Sequence, residues 1–268
     1  MKGKKRTGLL VLLSLVVLLA AALDIRLRVV TYEVASDKLD APVRLAVLTD
    51  LHSCAYGKGQ HALLDAVADQ TPDAVLLGGD ILDDVLPEDN AWTTVKALAE
   101  AYPCAYVTGN HEWWSGEAER ICQEMEALGV TVLQGDGVTW ELTSQTIAVF
   151  GIDDPDSGED QLSDVGNSVN GNTFTVLLAH RPEKIKGYLK YPFDLIVSGH
   201  AHGGQWCIPG LMNGLYAPHQ GMFPQYAGGR YDFDSTTFLV SRGLARESTK
   251  VPRVFNRPEL VVVDILPT

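Results

Sequence analysis

Asp50 and His52, Asp80 and Asp83, Asn110 and His111, His180, and His200 with His202 each follow an apolar run. Carboxylates, imidazoles and an amide oxygen are the side chains that hold divalent cations and move protons. Asp50-Leu51-His52 places two donors two residues apart, so an extended turn aims both side chains the same way. Gly78-Gly79-Asp80-Ile81-Leu82-Asp83 brings a carboxylate to a chain end whose glycines permit a sharp turn. Taken singly, Gly79-Asp80 is equally a helix cap, Asn110 a turn residue and His180 a structural histidine. Gly199-His200-Ala201-His202-Gly203 is a stronger metal signal, because the backbone has to bend around an ion held by two imidazoles. Five consecutive runs ending in such residues are not a coincidence of composition.

The elements that must position these residues are short buried strands. Val43–Thr49, Ala74–Leu77, Cys104–Val107, Phe174–Ala179 and Phe193–Ser198 are continuously or nearly continuously apolar, as expected of parallel strands covered on both faces. Their carboxyl ends form the crevice where open α/β sheets bind ligands. Helical spacing is predicted over about 60–70, 88–101 and 116–128. Val130–Leu133, Val138–Leu142 and Thr146–Phe150, separated by turn residues, predict a partly antiparallel sheet. The stretch from Gly151 to Gly171, opening with Asp153-Asp154, reads as a surface loop from which Asp153 or Asp154 could face the site, and residues 210–229 as a long loop that could cover the site. Trp113, Trp114, Trp206, Tyr216 and Phe223 could line an apolar channel or simply pack.

With 268 residues, 46% hydrophobic and 21% charged, one domain plus a short extension is expected, the extension over residues 1–30 and the domain over 40–268. Net charge is -13, and setting aside the first thirty residues leaves 15 basic against 33 acidic side chains. Such a body repels nucleic acid, so none is expected as a partner. Lys2, Lys4, Lys5 and Arg6 precede an apolar run from Leu9 to Leu23, which predicts a membrane anchor, or a signal segment cleaved near Ala20-Ala21-Ala22. The catalytic body is then expected outside the cytoplasm, anchored or secreted. Cys54, Cys104, Cys122 and Cys207 lack zinc-knuckle spacing, and either a disulfide or isolated buried thiols fit.

The ordered set D-x-H, G-D-x-x-D, G-N-H-E, H and G-H-x-H, from Asp50 to His202, resembles the calcineurin-like metallophosphoesterase superfamily. That resemblance implies a mixed α/β (α+β) fold, a four-layer double β-sandwich flanked by helices. It implies Asp50, His52 and His202 on one divalent metal, Asn110, His180 and His200 on a second, and Asp80 bridging both. His111 would meet the phosphoryl group or leaving oxygen, oriented by Asp83. Imidazole-rich ligation suits manganese, iron or zinc, and hydroxide generated between the two metals would attack in line. Asp83 is followed by Asp84 and Val85 where serine/threonine phosphatases carry Arg-Gly, which argues against a protein phosphatase. His200 to Gln205, Ser241 to Leu244 and Pro252-Arg253 to Pro258-Glu259 look like the membrane-anchored bacterial phosphodiesterases of the YaeI and YkuE type. The implied substrate is a phosphodiester or pyrophosphate of an envelope or lipid-linked molecule. The rivals are a phosphomonoesterase and a non-catalytic metal-binding scaffold on the same fold.

Overall fold

Continuous apolar runs become buried strands. In the computed structural model, which describes residues 2–142, 145–248 and 251–268, helix α1 (Lys2–Ala22) and strand β1 (Arg28–Ser36) come first. They precede β2 (Val43–Leu48), α2 (His61–Ala68), β3 (Ala74–Gly78), α3 (Asp89–Ala101) and β4 (Cys104–Val107). Helices α4 (Asn110–Trp114) and α5 (Ala118–Ala127) lead to β5 (Thr131–Val132). The second half contributes β6 (Asp136–Leu142), β7 (Gln145–Ile152), α6 (Leu162–Ser168), β8 (Phe174–Ala179), α7 (Ile185–Tyr188) and β9 (Leu195–Ser198). After two short strands, β10 (Tyr216–Ala217) and β11 (Gly221–Met222), it closes with β12 (Gly229–Phe233), β13 (Thr236–Val240) and β14 (Glu259–Pro267).

Two six-stranded sheets result, ordered β1-β14-β2-β3-β4-β5 and β12-β13-β9-β8-β7-β6. β2 to β5 run parallel, as do β7, β8, β9 and β13, so their carboxyl ends share one edge of each sheet. Alternate residues face opposite sides. Leu45, Val47, Leu76 and Val107 pack against Val149, Val176, Leu178 and Val197 between the sheets. Ala46, Leu48, Val75 and Leu77 instead meet Leu63, Val67, Val95, Leu98 and Met125 of the helices on one outer face. Leu177, Ala179 and Ile196 meet Val165, Ile185 and Tyr188 on the other. The fold is the mixed α/β double sandwich with helical outer layers.

Several local features differ from expectation. Nothing in residues 28–36 marks a buried strand, yet β1 pairs along its whole length with β14, from Arg28 opposite Glu259 to Ser36 opposite Pro267. The Asn110 turn is the first residue of α4. Residues 151–171 carry α6, and Asp153 and Asp154 are buried rather than lying on a surface loop. All four cysteines are free and buried, the isolated-thiol alternative of the two the sequence left open.

The membrane expectation is corrected. No helix among the described residues is long and apolar enough to cross a membrane. The run from Leu9 to Leu23 is fifteen residues, and at 1.5 Å per residue it spans about 22 Å, short of a hydrocarbon core of roughly 30 Å. The anchor, and with it the extracytoplasmic placement built on it, is overturned.

Leu76 is wholly buried between the sheets. Leu76→Ala should lower unfolding stability by about 2–5 kcal/mol in urea denaturation. A loss below about 1 kcal/mol would mean the sheets do not close over this side chain.

Candidate functional site

Beyond β2 and β3 the two segments stay bonded. Asp50 N donates to Gly79 O at 3.0 Å, His52 N to Asp80 O at 2.9 Å and Ser53 N to Ile81 O at 3.1 Å. Along these turns Asp50, His52 and Asp80 hold left-handed backbones, with φ of 51°, 47° and 51°. His200 and His202, after β9, do the same at 64° and 48°. Such conformations are strained for non-glycine residues and cluster where function over-determines the backbone.

One buried carboxylate ties the turn after β3 to the turn after β4. Glu112 accepts from Asp80 N and Gly109 N through one oxygen, at 3.0 and 2.8 Å, and from Ile81 N and Leu82 N through the other, at 2.7 and 3.1 Å. Burial and neighbouring Asp80 push its pKa up to about 7 against the pull of those N–H groups. Gly109 lies so close to Asp80 that a Cβ there would run into its carboxylate. Asp80 Oδ1 accepts from His111 N at 2.8 Å, and Asp50 Oδ1 from His200 N at 2.8 Å. Each aspartate therefore keeps one oxygen for the backbone and one for the crevice.

The crevice oxygens meet the imidazoles. Ligand atoms of Asp50, His52, Asp80 and His202 lie within 4.8 Å of one another, as do those of Asp80, His180 and His200, so the two groups share Asp80. Asp80 Oδ2 is 3.0 Å from His180 Nε2, without hydrogen-bond alignment, and 3.6 Å from His52 Nε2. Asp50 Oδ2, His52 Nε2, Asp80 Oδ2, Asn110 Oδ1, His180 Nε2 and His202 Nδ1 are buried without a hydrogen-bond partner among the described residues. Leaving a buried polar atom unpaired costs about 1–3 kcal/mol, and two groups of carboxylate and imidazole ligands that share Asp80 are the arrangement two cations would satisfy. The residues present therefore fit a pair of divalent metals.

The electrostatics point the same way. Burial opposes ionisation of Asp80, but His180 and His52 outweigh it and hold its pKa well below the usual range. Burial also opposes the charged form of His180, yet Asp80 and Asp50 push it up to about 10. Burial lowers His200 and His202 well below their ordinary value, which leaves neutral imidazoles with lone pairs to donate. His180 donates from Nδ1 to Gly78 O at 2.8 Å, which turns Nε2 toward Asp80.

Asp83 is brought to His52 rather than squarely to His111: its Oδ2 is 3.0 Å from His52 Nδ1 and 3.7 Å from His111 Nδ1. Asp84 Oδ1 lies 2.6 Å from His111 Nδ1. The His111 ring also packs against His52 at 4.3 Å and Trp114 at 4.8 Å between centroids. On the far side, buried Arg181 pairs with Asp154 at 2.5 Å and reaches His219 Nδ1 at 2.7 Å. His219 Nδ1 in turn is 3.0 Å from His200 Nε2, so residues 210–229 do touch the site. Glu112, Asp84, Arg181 and His219 carried no assigned role in the sequence. Glu112 and Arg181 sit beside expected site residues and could have been flagged, whereas His219 has no local signal.

A sequence model of the calcineurin-like phosphoesterase family matches residues 43–204, which contain all the donors described. Phosphodiesterase YaeI of Escherichia coli is 28% identical over 233 residues, covering 84% of this chain and 83% of that protein. The uncharacterized protein YpbG of Bacillus subtilis is 24% identical over 249 residues, covering 92% and 90%. Among solved structures, a 5'-nucleotidase precursor from Thermus thermophilus superposes with a TM-score of 0.52 at 13% identity. That alignment takes in 84% of this chain but only 54% of the nucleotidase, and it is a likeness of fold.

Glu112→Gln would set an NH2 group against two N–H donors. Urea denaturation of the metal-free protein should show a loss of about 2–4 kcal/mol. An unchanged midpoint would mean the turns hold together without this carboxylate.

Proposed function

The chain belongs to the calcineurin-like phosphoesterase family of metal-dependent phosphoester hydrolases, which use two divalent metal ions, and on that premise we propose that it is a phosphodiesterase or pyrophosphohydrolase. The observation that carries this reading is the convergence of unpartnered buried donor atoms on either side of Asp80. In the assignment we put forward, Asp50, His52 and His202 hold one cation, Asn110, His180 and His200 the other, and Asp80 both. The mixed imidazole, carboxylate and amide set favours manganese, iron or zinc over calcium or magnesium. When bound, the two cations supply the Lewis acidity that activates water and neutralises phosphoryl charge.

The chain's own residues supply the remainder. His111 would deliver a proton to the leaving oxygen, and its only partial burial leaves the ring within reach of substrate. Asp83 would fix the orientation of His52 by accepting its Nδ1 proton. The preference for a diester is supported by the likeness to YaeI and by Asp84 in place of a phosphate-binding arginine. A substrate arm that is apolar or lipid-linked is supported by Trp114, which is 55% exposed beside the His111 ring. A scaffold without activity is disfavoured because no donor of the motif set is missing.

Elemental analysis should find close to two transition-metal ions per chain. Hydrolysis of bis-p-nitrophenyl phosphate should exceed that of the monoester and vanish on chelation. Faster monoester turnover would shift the reading to a phosphomonoesterase, and metal without turnover of either would revive the scaffold. His111→Ala should lower kcat by roughly two to four orders of magnitude with metal content near normal. Asp80→Asn should lose metal as well, and retention of both ions would remove Asp80 from its shared position.

A further inference from the structure

We propose that Asp84, rather than Asp83, positions the His111 imidazole for catalysis; this rests on the reading in which His111 serves the leaving oxygen. The two adjacent carboxylates divide their work. Asp83 is fully engaged: its Oδ2 faces His52 Nδ1 at 3.0 Å, and its Oδ1 accepts from Val85 N and Leu86 N at 3.0 and 2.8 Å. From His111 Nδ1 it stands 3.7 Å away, beyond hydrogen-bond reach. Asp84 Oδ1 stands at 2.6 Å from the same nitrogen.

An ionised carboxylate only accepts, so each imidazole must donate from Nδ1. For His52 this frees Nε2 toward Asp80, 3.6 Å from its Oδ2. For His111 it frees Nε2 as the nitrogen that carries a proton to or from substrate. The remaining supports of the His111 ring are faces and edges, His52 at 4.3 Å and Trp114 at 4.8 Å, which limit tilt but do not distinguish one ring nitrogen from the other. Asp84 makes that distinction.

Charge reinforces the geometry. An unpaired carboxylate beside a phosphoryl site would repel the substrate, and Asp84 occupies the position where the serine/threonine phosphatases carry a guanidinium. Turned toward His111, the carboxylate is held on the ring's Nδ1–H instead of facing the substrate. Its side chain is 28% exposed, so water competes for the bond and the effect should be smaller than loss of His111 itself.

The test uses the full chain with manganese and bis-p-nitrophenyl phosphate, comparing Asp84→Ala, Asp84→Glu, Asp83→Asn, His111→Ala and the Asp84→Ala/His111→Ala pair. Asp84→Ala should lower kcat about 10–100-fold with KM and manganese stoichiometry unchanged, and Asp84→Glu should recover much of the loss. Added to His111→Ala, it should lower kcat less than threefold further. Asp83→Asn should instead weaken manganese binding. Histidine-selective nitrogen-15 spectra of the metal-free protein should show the His111 Nδ1–H signal changed by Asp84→Ala and retained in Asp83→Asn. The reverse spectral pattern, or losses from Asp84→Ala and His111→Ala that multiply, would overturn the assignment. A wild-type chain that neither binds manganese nor turns over would sink the phosphoesterase reading, while the spectra would still decide which carboxylate His111 meets.

Discussion

The Glu112 carboxylate, wholly buried and bonded to four backbone N–H groups, is the interaction on which the site's geometry depends. It reaches from α4 to the turn after β3 and holds Asp80 at φ 51°, a conformation that costs roughly 1–3 kcal/mol in a non-glycine residue. The turn after β2 leans on the same frame, because Asp50 and His52 donate their N–H groups to Gly79 O and Asp80 O. Without that frame the strained turns would relax toward extended backbone and the carboxylate oxygens would leave the crevice. The strain is therefore sustained by hydrogen bonds one layer behind the donors.

Parallel strands make such a frame available. Adjacent strands running the same way end at the same edge, so turns after β2, β3 and β4 come together without long excursions, and the turns after β8 and β9 meet them across the inter-sheet core. Left-handed residues at these ends aim side chains back over the strand edge. Glycines at 79, 109 and 199 then supply clearance: a Cβ on any of them would press on His180, Asp80 or Asp50.

How much of this was legible follows from locality. The D-x-H, G-D-x-x-D, G-N-H and G-H-x-H groups are each contiguous and end a strand, so their residues and their meeting place could be read from spacing and apolar pattern alone. Pairings across the chain could not. Whether Asp83 or Asp84 faces His111 depends on which oxygen the Val85 and Leu86 amides occupy, a matter of turn conformation that residue types do not encode. Arg181 with Asp154 and His219 with His200 join segments 27 and 19 residues apart through tertiary packing. β1 escaped notice because its buried positions are few and its partner lies at the other end of the chain. The N-terminal apolar run misled in the opposite sense: its composition is that of a membrane segment, and its length is not.

That distant pairing of β1 with β14 bears on the site more than its position suggests. Every donor lies within residues 43–204, yet Asp50 is walled in by residues that come later. Gly243, at φ 69°, approaches so closely that a Cβ would stand 2.6 Å from Asp50 Cβ and from Oδ2. Leu244 N bonds to Thr49 O at 3.0 Å, Arg242 N to Glu259 Oε1 at 2.9 Å, and Glu259 N to Gly243 O at 3.1 Å. Behind this segment, buried Arg253 donates to Ala245 O and Gly243 O at 2.8 and 3.3 Å. Glu259 also receives Arg28 at 2.7 Å and begins β14, the strand that separates β1 from β2. The Ser241–Leu244 and Pro252–Glu259 motifs thus act on the first donor turn from behind, and sheet order carries their effect. A chain holding only the donor-bearing segment would present every donor and lack the Gly243 and Leu244 contacts that back the Thr49–Asp50 turn.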